Sequence, residues 1–384
     1  MTTMETRHRM KVMMAIIVLQ VCLGGLYAWS ILFPFLRMTW HTATATVTSF
    51  AAIMLSFGFT MWVLNRIVLY LKTTMLCVVS AVLMAAGPVF VIAYPDAYVM
   101  YTISGILTGA GVAVGMAIPR RAIIDTFTCT DDQQLLTRTV SIAFGAAAFL
   151  MAPLFVRLME HGMMVHFVGT TLINTGALLA AALWLRHTHG KRFSPSAPPL
   201  IRRQISAAGK LMFTIATCAG LSVIAVVAVL IISQGANMIT AGAFVGLLGL
   251  ANGAGRVVGF LLLNRVRLNS AIAIAAIVQA IGLILMASSS IGVFRVAAAV
   301  TLIGMGYGML IAVTLGTTQA PLVSVAYNIT DNCELLFGTA GVIGPIGVAL
   351  TMDIAGNAWP WLQLMAYLSV GCAVLTLVID ERTA

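Results

Sequence analysis

The chain has 384 residues, of which 61% are hydrophobic and only 8% are charged. Soluble domains carry about 25% charged residues, so this composition excludes a soluble globular protein and indicates a helical protein that crosses a membrane several times. The net charge of +10 does not indicate nucleic-acid binding, because the basic residues lie between the apolar runs, as expected for membrane orientation.

Twelve apolar runs predict an all-α membrane protein with twelve membrane-spanning helices, which we number spans 1 to 12. A charged loop from Arg120 to Arg138 is expected after Pro119 closes span 4. The longest hydrophilic stretch predicts a cytoplasmic central loop at 187–208, between an N-terminal six-helix bundle (1–186) and a C-terminal one (209–384). The spans are expected at about 12–33, 44–64, 73–94, 98–118, 139–158, 164–185, 209–232, 239–263, 269–289, 294–316, 333–352 and 358–379.

The distribution of basic residues predicts the orientation of these spans. With both termini in the cytoplasm, 17 of the 21 Lys and Arg residues fall on the cytoplasmic side. Such an excess is the pattern of inner loops, and an odd number of spans would destroy it. The 17 are Arg7, Arg9, Lys11, Arg66, Lys72, Arg120, Arg121, Arg138, Arg186, Lys191, Arg192, Arg202, Arg203, Lys210, Arg265, Arg267 and Arg382.

The two halves of the chain share three sequence patterns in the same order, 192 to 199 residues apart. This repeat predicts two related six-span bundles, the architecture of the major facilitator transporters, with a site between the halves near the midplane. When the two halves are aligned on these patterns, Phe57 in span 2 corresponds to Arg256 in span 8. The paired patterns are 63–67 with 262–266, 109–115 with 304–308, and Phe144-Gly145 followed by Pro153 with Phe337-Gly338 followed by Pro345.

One charge lies inside an apolar run. Arg256 belongs to span 8, and an arginine at membrane depth costs at least about 2.5 kcal/mol unless it faces a cavity or a partner. Asn252 lies one turn earlier, and glycines share that face, so the face is expected to point into the bundle. We interpret Arg256 as the binding residue for an anionic substrate. The alternative is that its side chain extends to the cytoplasmic end of the helix, about two turns away.

Two motifs carry a resemblance to a known family. Span 1 contains Gly-Gly-Leu-Tyr-Ala-Trp-Ser at 24–30, and span 8 contains Asn-Gly-Ala-Gly-Arg at 252–256. Together they resemble the oxalate/formate antiporter family of the major facilitator superfamily. The resemblance implies transport of small carboxylates, with Arg256 lining the substrate path and with Tyr27, Trp29 and Tyr307 near the same site.

The chain departs from that family in two places. The family uses a lysine in span 11 for oxalate, whereas span 11 here has neither Lys nor Arg. One buried cation leaves the second charge of a dianion poorly compensated, which favours a monocarboxylate. The superfamily also carries an aspartate where this chain has Asn65 and Asn264. Either the inner gate is weaker, or the chain is an unusual or poorly active member.

Two further polar residues are candidates with open alternatives. Gln20, two turns before Tyr27, would bond a carboxylate or would make an interhelical contact worth about 0.6 kcal/mol. Glu334, at the entry to span 11, is the best candidate for coupling to protons, and a salt bridge at the loop is the alternative. The six scattered cysteines show no metal-ligand spacing. No nucleophile–base pair or nucleotide motif is visible, so neither an enzyme nor a cofactor is expected.

These observations predict a secondary transporter of a small organic anion, working by exchange or with protons. The alternatives are an exporter of drugs or other hydrophobic solutes, and a non-transporting membrane sensor. The expected partners are a small carboxylate and the lipid bilayer, without nucleic acid. We expect a monomer in the plasma (bacterial inner) membrane with both termini cytoplasmic.

Overall fold

The computed structural model describes residues 3–127, 129–186, 205–263, 265–287, 292–318 and 332–382. These ranges are helical and contain no strand, and twelve of their helices are long and apolar enough to cross a membrane. This confirms the predicted all-α membrane fold. The spans are Arg7–Ile31, Ala43–Ile67, Thr73–Ala93, Tyr98–Thr126, Thr130–Glu160, Met163–Leu185, Ala207–Ile232, Met238–Leu262, Leu268–Met286, Val293–Thr314, Cys333–Ala355 and Trp359–Val378.

The expected loop from Arg120 to Arg138 is mostly helix. Span 4 continues through Pro119 to Thr126, and span 5 begins at Thr130. A proline inside a helix leaves the carbonyl four residues earlier without its usual donor. Here that carbonyl belongs to Gly115, and the Gln20 side chain lies 3.4 Å from it as a replacement donor. The helix therefore tolerates the proline, and the prediction that Pro119 closes span 4 was wrong.

Span 1 changes its winding in its last third. It is α-helical to Leu23 and then continues as a 3₁₀ helix over Gly24–Ile31. Gly24 lies against span 5, where an added Cβ would stand 2.5 Å from the Cβ of Ala147. The absence of a side chain thus lets the two helices approach closely, and this segment carries Tyr27 into the centre of the molecule.

The two halves meet along two helix pairs. Span 2 packs on span 11, and span 5 packs on span 8, while the 3₁₀ segment of span 1 also contacts spans 7 and 8. In the sequence repeat, span 2 corresponds to span 8 and span 5 corresponds to span 11. The span 2–span 11 pair is therefore the counterpart of the span 5–span 8 pair. The domain boundaries themselves remain a prediction, because most of the central loop, 187–204, lies outside the described residues.

An even number of spans places both chain ends on one face of the membrane, which we call the termini side; the other is the far side. Span 7 is the most enclosed helix of the described bundle, whereas span 6 is the least enclosed. Apolar side chains therefore point outward mainly from peripheral helices, where lipid can cover them. The interior of the bundle positions the polar residues described next.

Candidate functional site

Arg256 lies at the centre of the interface and is only 1% exposed. Its Nε donates to Oδ1 of Asn252 at 3.2 Å, and its Nη1 donates to the carbonyl and to Oγ of Ser141, each at 2.9 Å. Its Nη2 donates to the Tyr27 hydroxyl at 3.2 Å. The side chain thus links span 8 to spans 5 and 1. It is turned into the protein and does not extend to the membrane surface.

Span 5 is shaped to receive this side chain. Gly145 lies one turn after Ser141, and a Cβ added there would stand 2.5 Å from Nε of Arg256. The guanidinium carbon is also 5.8 Å from the centre of the Phe144 ring, which permits a cation–π contact. The sequence Ser-x-x-Phe-Gly at 141–145 therefore supplies acceptors, an aromatic wall and room on one helical face.

The positive charge has no acidic partner among the described residues. Ion pairs such as Arg121 with Asp125 and Arg157 with Glu160 lie within single helices and do not include Arg256. The four neutral contacts of Arg256 also leave one of its five N–H groups without an acceptor in the described part of the chain. The arrangement can stabilise one negative charge, because a cation in a low-dielectric interior attracts an anion strongly.

The sequence repeat explains why this position is special. Phe57 and Phe337 contact each other at the span 2–span 11 interface, with ring centroids 5.6 Å apart. Their counterparts at the span 5–span 8 interface are Arg256 and Phe144, which are 5.8 Å apart. An aromatic pair in one interface thus corresponds to a cation–aromatic pair in the other. The two interfaces therefore differ at this position, where the span 5–span 8 interface carries the charge of Arg256 and the span 2–span 11 interface carries the neutral Phe57.

A narrow space adjoins this cluster. Tyr27, Asn252 and Tyr307 line it together with glycines of spans 7, 8 and 10, and it is too small to hold a water molecule. The Tyr27 and Tyr307 rings meet edge to face, with centroids 6.1 Å apart. Tyr307 is only 1% exposed, and its side chain interacts with that of Tyr27. This space therefore has no room for a solute unless the surrounding helices separate.

Three predicted site residues lie elsewhere. Trp29 packs on Phe50, with centroids 5.0 Å apart, and lines a different cavity inside the first half. Gln20 contacts the Gly115 carbonyl, which agrees with the interhelical alternative. Glu334 lies at the termini side of span 11 and accepts a hydrogen bond from Asn65 at 2.6 Å. Of the candidates, Arg256, Asn252, Tyr27 and Tyr307 come together.

Sequence reasoning missed Ser141 as a contact of Arg256. One of its two contacts with Arg256 is through the backbone carbonyl. Every residue type carries that group, so the identity of the residue gave little signal. Its spacing of one helical turn before Gly145 was the available hint, since it places both on the face that the repeat assigns to the interface.

Hydrogen bonds close the span 2–span 11 pair at both membrane faces. The termini-side latch consists of Asn65, Arg120 and Glu334, because Arg120 donates to Oδ1 of Asn65 at 2.8 Å while the Asn65 amide donates to Glu334. The far-side latch consists of Asp353 with Ala43 and Thr44. Asp353 accepts from both backbone amides, at 2.7 and 2.9 Å, and from the Thr44 hydroxyl at 2.6 Å.

Two solved structures share this architecture. A mutant of the nucleoside transporter NupG matches with a TM-score of 0.70 and 12% identity, covering 97% of this chain and 99% of that chain. A mutant of the peptide transporter POT matches with a TM-score of 0.69 and 12% identity, covering 97% of this chain and 94% of that chain. Neither a protein-family model nor a curated protein sequence matches the chain. At this identity the likeness shows the fold alone, which is the major facilitator fold.

Proposed function

We propose that this chain, which has the major facilitator fold, is a secondary transporter that carries a small organic anion across the membrane by alternating access. The halves 1–186 and 209–384 would move against each other around Arg256. The observation that carries the proposal is a buried guanidinium between the halves that has neutral acceptors and no acidic partner among the described residues.

The charge balance favours a monocarboxylate as the substrate. Arg256 supplies one positive charge, and no Lys or Arg occurs in span 11 to supply a second. A dianion would keep one charge uncompensated in the low-dielectric centre. The resemblance of the span 1 and span 8 motifs to the oxalate/formate antiporter family points to carboxylates as well, with Tyr27 and Asn252 beside the bound group.

The geometry supports a role for Tyr27 and Asn252 in releasing the guanidinium to its substrate. Each accepts a single hydrogen bond from Arg256 at 3.2 Å, whereas the bonds that Arg256 donates to Ser141 are 2.9 Å long. A carboxylate accepts two parallel N–H bonds from a guanidinium and forms stronger bonds than a neutral oxygen. It would therefore displace the two longer contacts while Ser141 continues to hold Nη1.

Coupling is proposed to be exchange or symport with protons. Glu334, the candidate for proton coupling, is engaged in the termini-side latch rather than in the site. Exchange needs no titrating acid beside the substrate, so the position of Glu334 favours exchange. We place the protein in the plasma (bacterial inner) membrane with its termini in the cytoplasm, on the basis of the 17 basic residues on that side.

Uptake by purified protein in liposomes tests the proposal. Labelled formate, lactate and pyruvate should enter faster than in empty liposomes, and Arg256→Gln should abolish this uptake because it removes the charge that binds the carboxylate. Arg157→Gln is the matched control, since that arginine is exposed and pairs only with Glu160. Arg256→Lys should keep partial activity, because it retains the charge without the planar pair of donors.

Undiminished uptake by a folded Arg256→Gln protein would remove the residue from the site. Absence of uptake of every carboxylate by the wild-type protein, in the presence and absence of the same carboxylate inside, would contradict the proposal as a whole. Gel filtration and circular dichroism of each variant separate a loss of function from a loss of fold.

A further inference from the structure

The six spans of the first half surround a second, partly open cavity. Its volume is about 110 Å³, and spans 1 to 6 all contribute to its wall. Tyr101 and His166 line it three residues after the starts of spans 4 and 6, so it lies in the far half of the membrane. It shares no lining residue with the narrow space beside Tyr27 and Tyr307. The cavity is therefore separate from the Arg256 site.

Buried polar atoms in this cavity have no partner. His166 is only 2% exposed, and apart from a weak contact with the Phe155 backbone its imidazole has no hydrogen-bond partner in the described chain. The Oδ1 of Asn174, two turns along the same helix, is buried and unpaired as well. Leaving a buried polar group unpaired costs about 1–3 kcal/mol. Both residues line a space large enough for a molecule that could bond to these atoms.

The rest of the wall defines what kind of molecule fits. Aromatic and aliphatic side chains make up most of it, including Trp29, Phe155 and Phe167. None of the lining residues is Asp, Glu, Lys or Arg. An ion would lose its hydration without gaining a charged partner, and a purely apolar solute would leave His166 and Asn174 unpaired.

We propose that this cavity is a binding site for a small neutral amphiphile, with an apolar body and one hydroxyl or amide group. Cavities of roughly 150 Å³ bind benzene, so a molecule with a single small ring is near the upper limit for this one. Because every lining residue belongs to the first half, relative motion of the halves does not open or close the site. The ligand would stay bound through a transport cycle and is distinct from the anion that Arg256 takes.

Fluorine NMR of purified protein in detergent tests this site with two probes of nearly equal size. The probes are 4-fluorophenol, which carries a hydroxyl, and 4-fluorotoluene, which does not, and protein-free micelles give the baseline for each. We expect 4-fluorophenol to bind more tightly. Asn174→Leu and His166→Phe should each weaken its binding about tenfold, the effect of losing one buried hydrogen bond. His161→Phe is the matched control, since His161 is exposed at the end of span 5.

Equal binding of both probes, insensitive to the two substitutions, would overturn the proposal, because it would mean a cavity with no polar recognition. Binding no greater than in protein-free micelles would also overturn it. Arg256→Gln should leave 4-fluorophenol binding unchanged. If that variant alone abolished binding, the probe would be entering between the halves instead. Carboxylate uptake is measured independently, so failure of one proposal leaves the other intact.

Discussion

The buried guanidinium of Arg256 is held by neutral hydrogen-bond acceptors and has no acidic partner among the described residues. Sequence alone brought out Arg256 and Asn252, because a lone charge in an apolar run and a helical spacing of four are visible in one dimension. Tyr27 came from the resemblance of the span 1 motif to a known family. It could not show Ser141, whose carbonyl is a backbone group, or the exclusion of Trp29, which depends on how the 3₁₀ turn rotates span 1. Side-chain direction after a change of winding is a three-dimensional property.

Adding one methyl group at Gly145 tests whether the position of Arg256 matters for transport. Gly145→Ala should reduce carboxylate uptake roughly 10- to 100-fold, because the new Cβ would displace the guanidinium and cost hydrogen bonds to a charged group worth about 1.5–3 kcal/mol. Gly246→Ala is the control at the same interface, since its Cβ would meet Phe149 at an ordinary 3.5 Å. Initial uptake rates in liposomes measure both. Equal rates for the two variants would show that the position of Arg256 is not critical.

At the scale of helices, the two latches hold span 2 and span 11 together at both faces. The sequence suggested a weaker gate because an asparagine stands where the superfamily has an aspartate. The structure shows instead that the acid is on the opposite helix. Asn65 accepts from Arg120 and donates to Glu334, which an amide can do and an ionised carboxylate cannot. The motif alone could not reveal this, because Glu334 is 269 residues away.

The termini-side latch predicts what happens when the carboxylate and the amide are interchanged between positions 334 and 65. Asn65→Asp should lower the free energy of unfolding by about 1–3 kcal/mol, because a carboxylate cannot donate to Glu334 and would repel it. Adding Glu334→Gln should recover most of that loss, since the donor and the acceptor are then interchanged. Thermal unfolding of the two single variants and the double variant measures the coupling. Strictly additive effects would refute the direct contact.

The far-side latch predicts a local opening. Asp353→Ala should accelerate hydrogen–deuterium exchange at the start of span 2, because the carboxylate caps the Ala43 and Thr44 amides at the positive end of that helix. Glu160→Ala is the control, since Glu160 is the repeat counterpart and pairs within span 5 with Arg157. Mass spectrometry of peptides covering 42–50 measures the change. If both variants exchanged alike, Asp353 would have no special part in closing this face.

At the scale of the whole molecule, hydrophobic runs were sufficient to find all twelve spans, since each must hide its backbone from lipid by forming a helix. The residues at which the helices begin and end were less predictable. Spans 4 and 5 extend well beyond their apolar parts, to Thr126 and from Thr130. A helix that leaves the membrane can continue in water with polar residues, so hydropathy marks the depth of the membrane and not the length of the helix.

The distribution of basic residues yields a prediction about the whole chain. Protease added to sealed right-side-out membranes should spare the central loop at 187–208, whereas protease added to inverted vesicles should cut it. The reason is that Lys191, Arg192, Arg202 and Arg203 hold this loop on the cytoplasmic side. Immunoblotting for the two halves measures cleavage. Cutting from the outside would reverse the assigned orientation.

The tight space beside Arg256 has an electrical consequence. Tyr27 and Tyr307 meet there without room for even one water molecule, so this space cannot hold a chain of hydrogen-bonded water. A protein closed in this way should be silent in planar-bilayer recordings, and it can reside in an energised membrane without discharging the voltage across it.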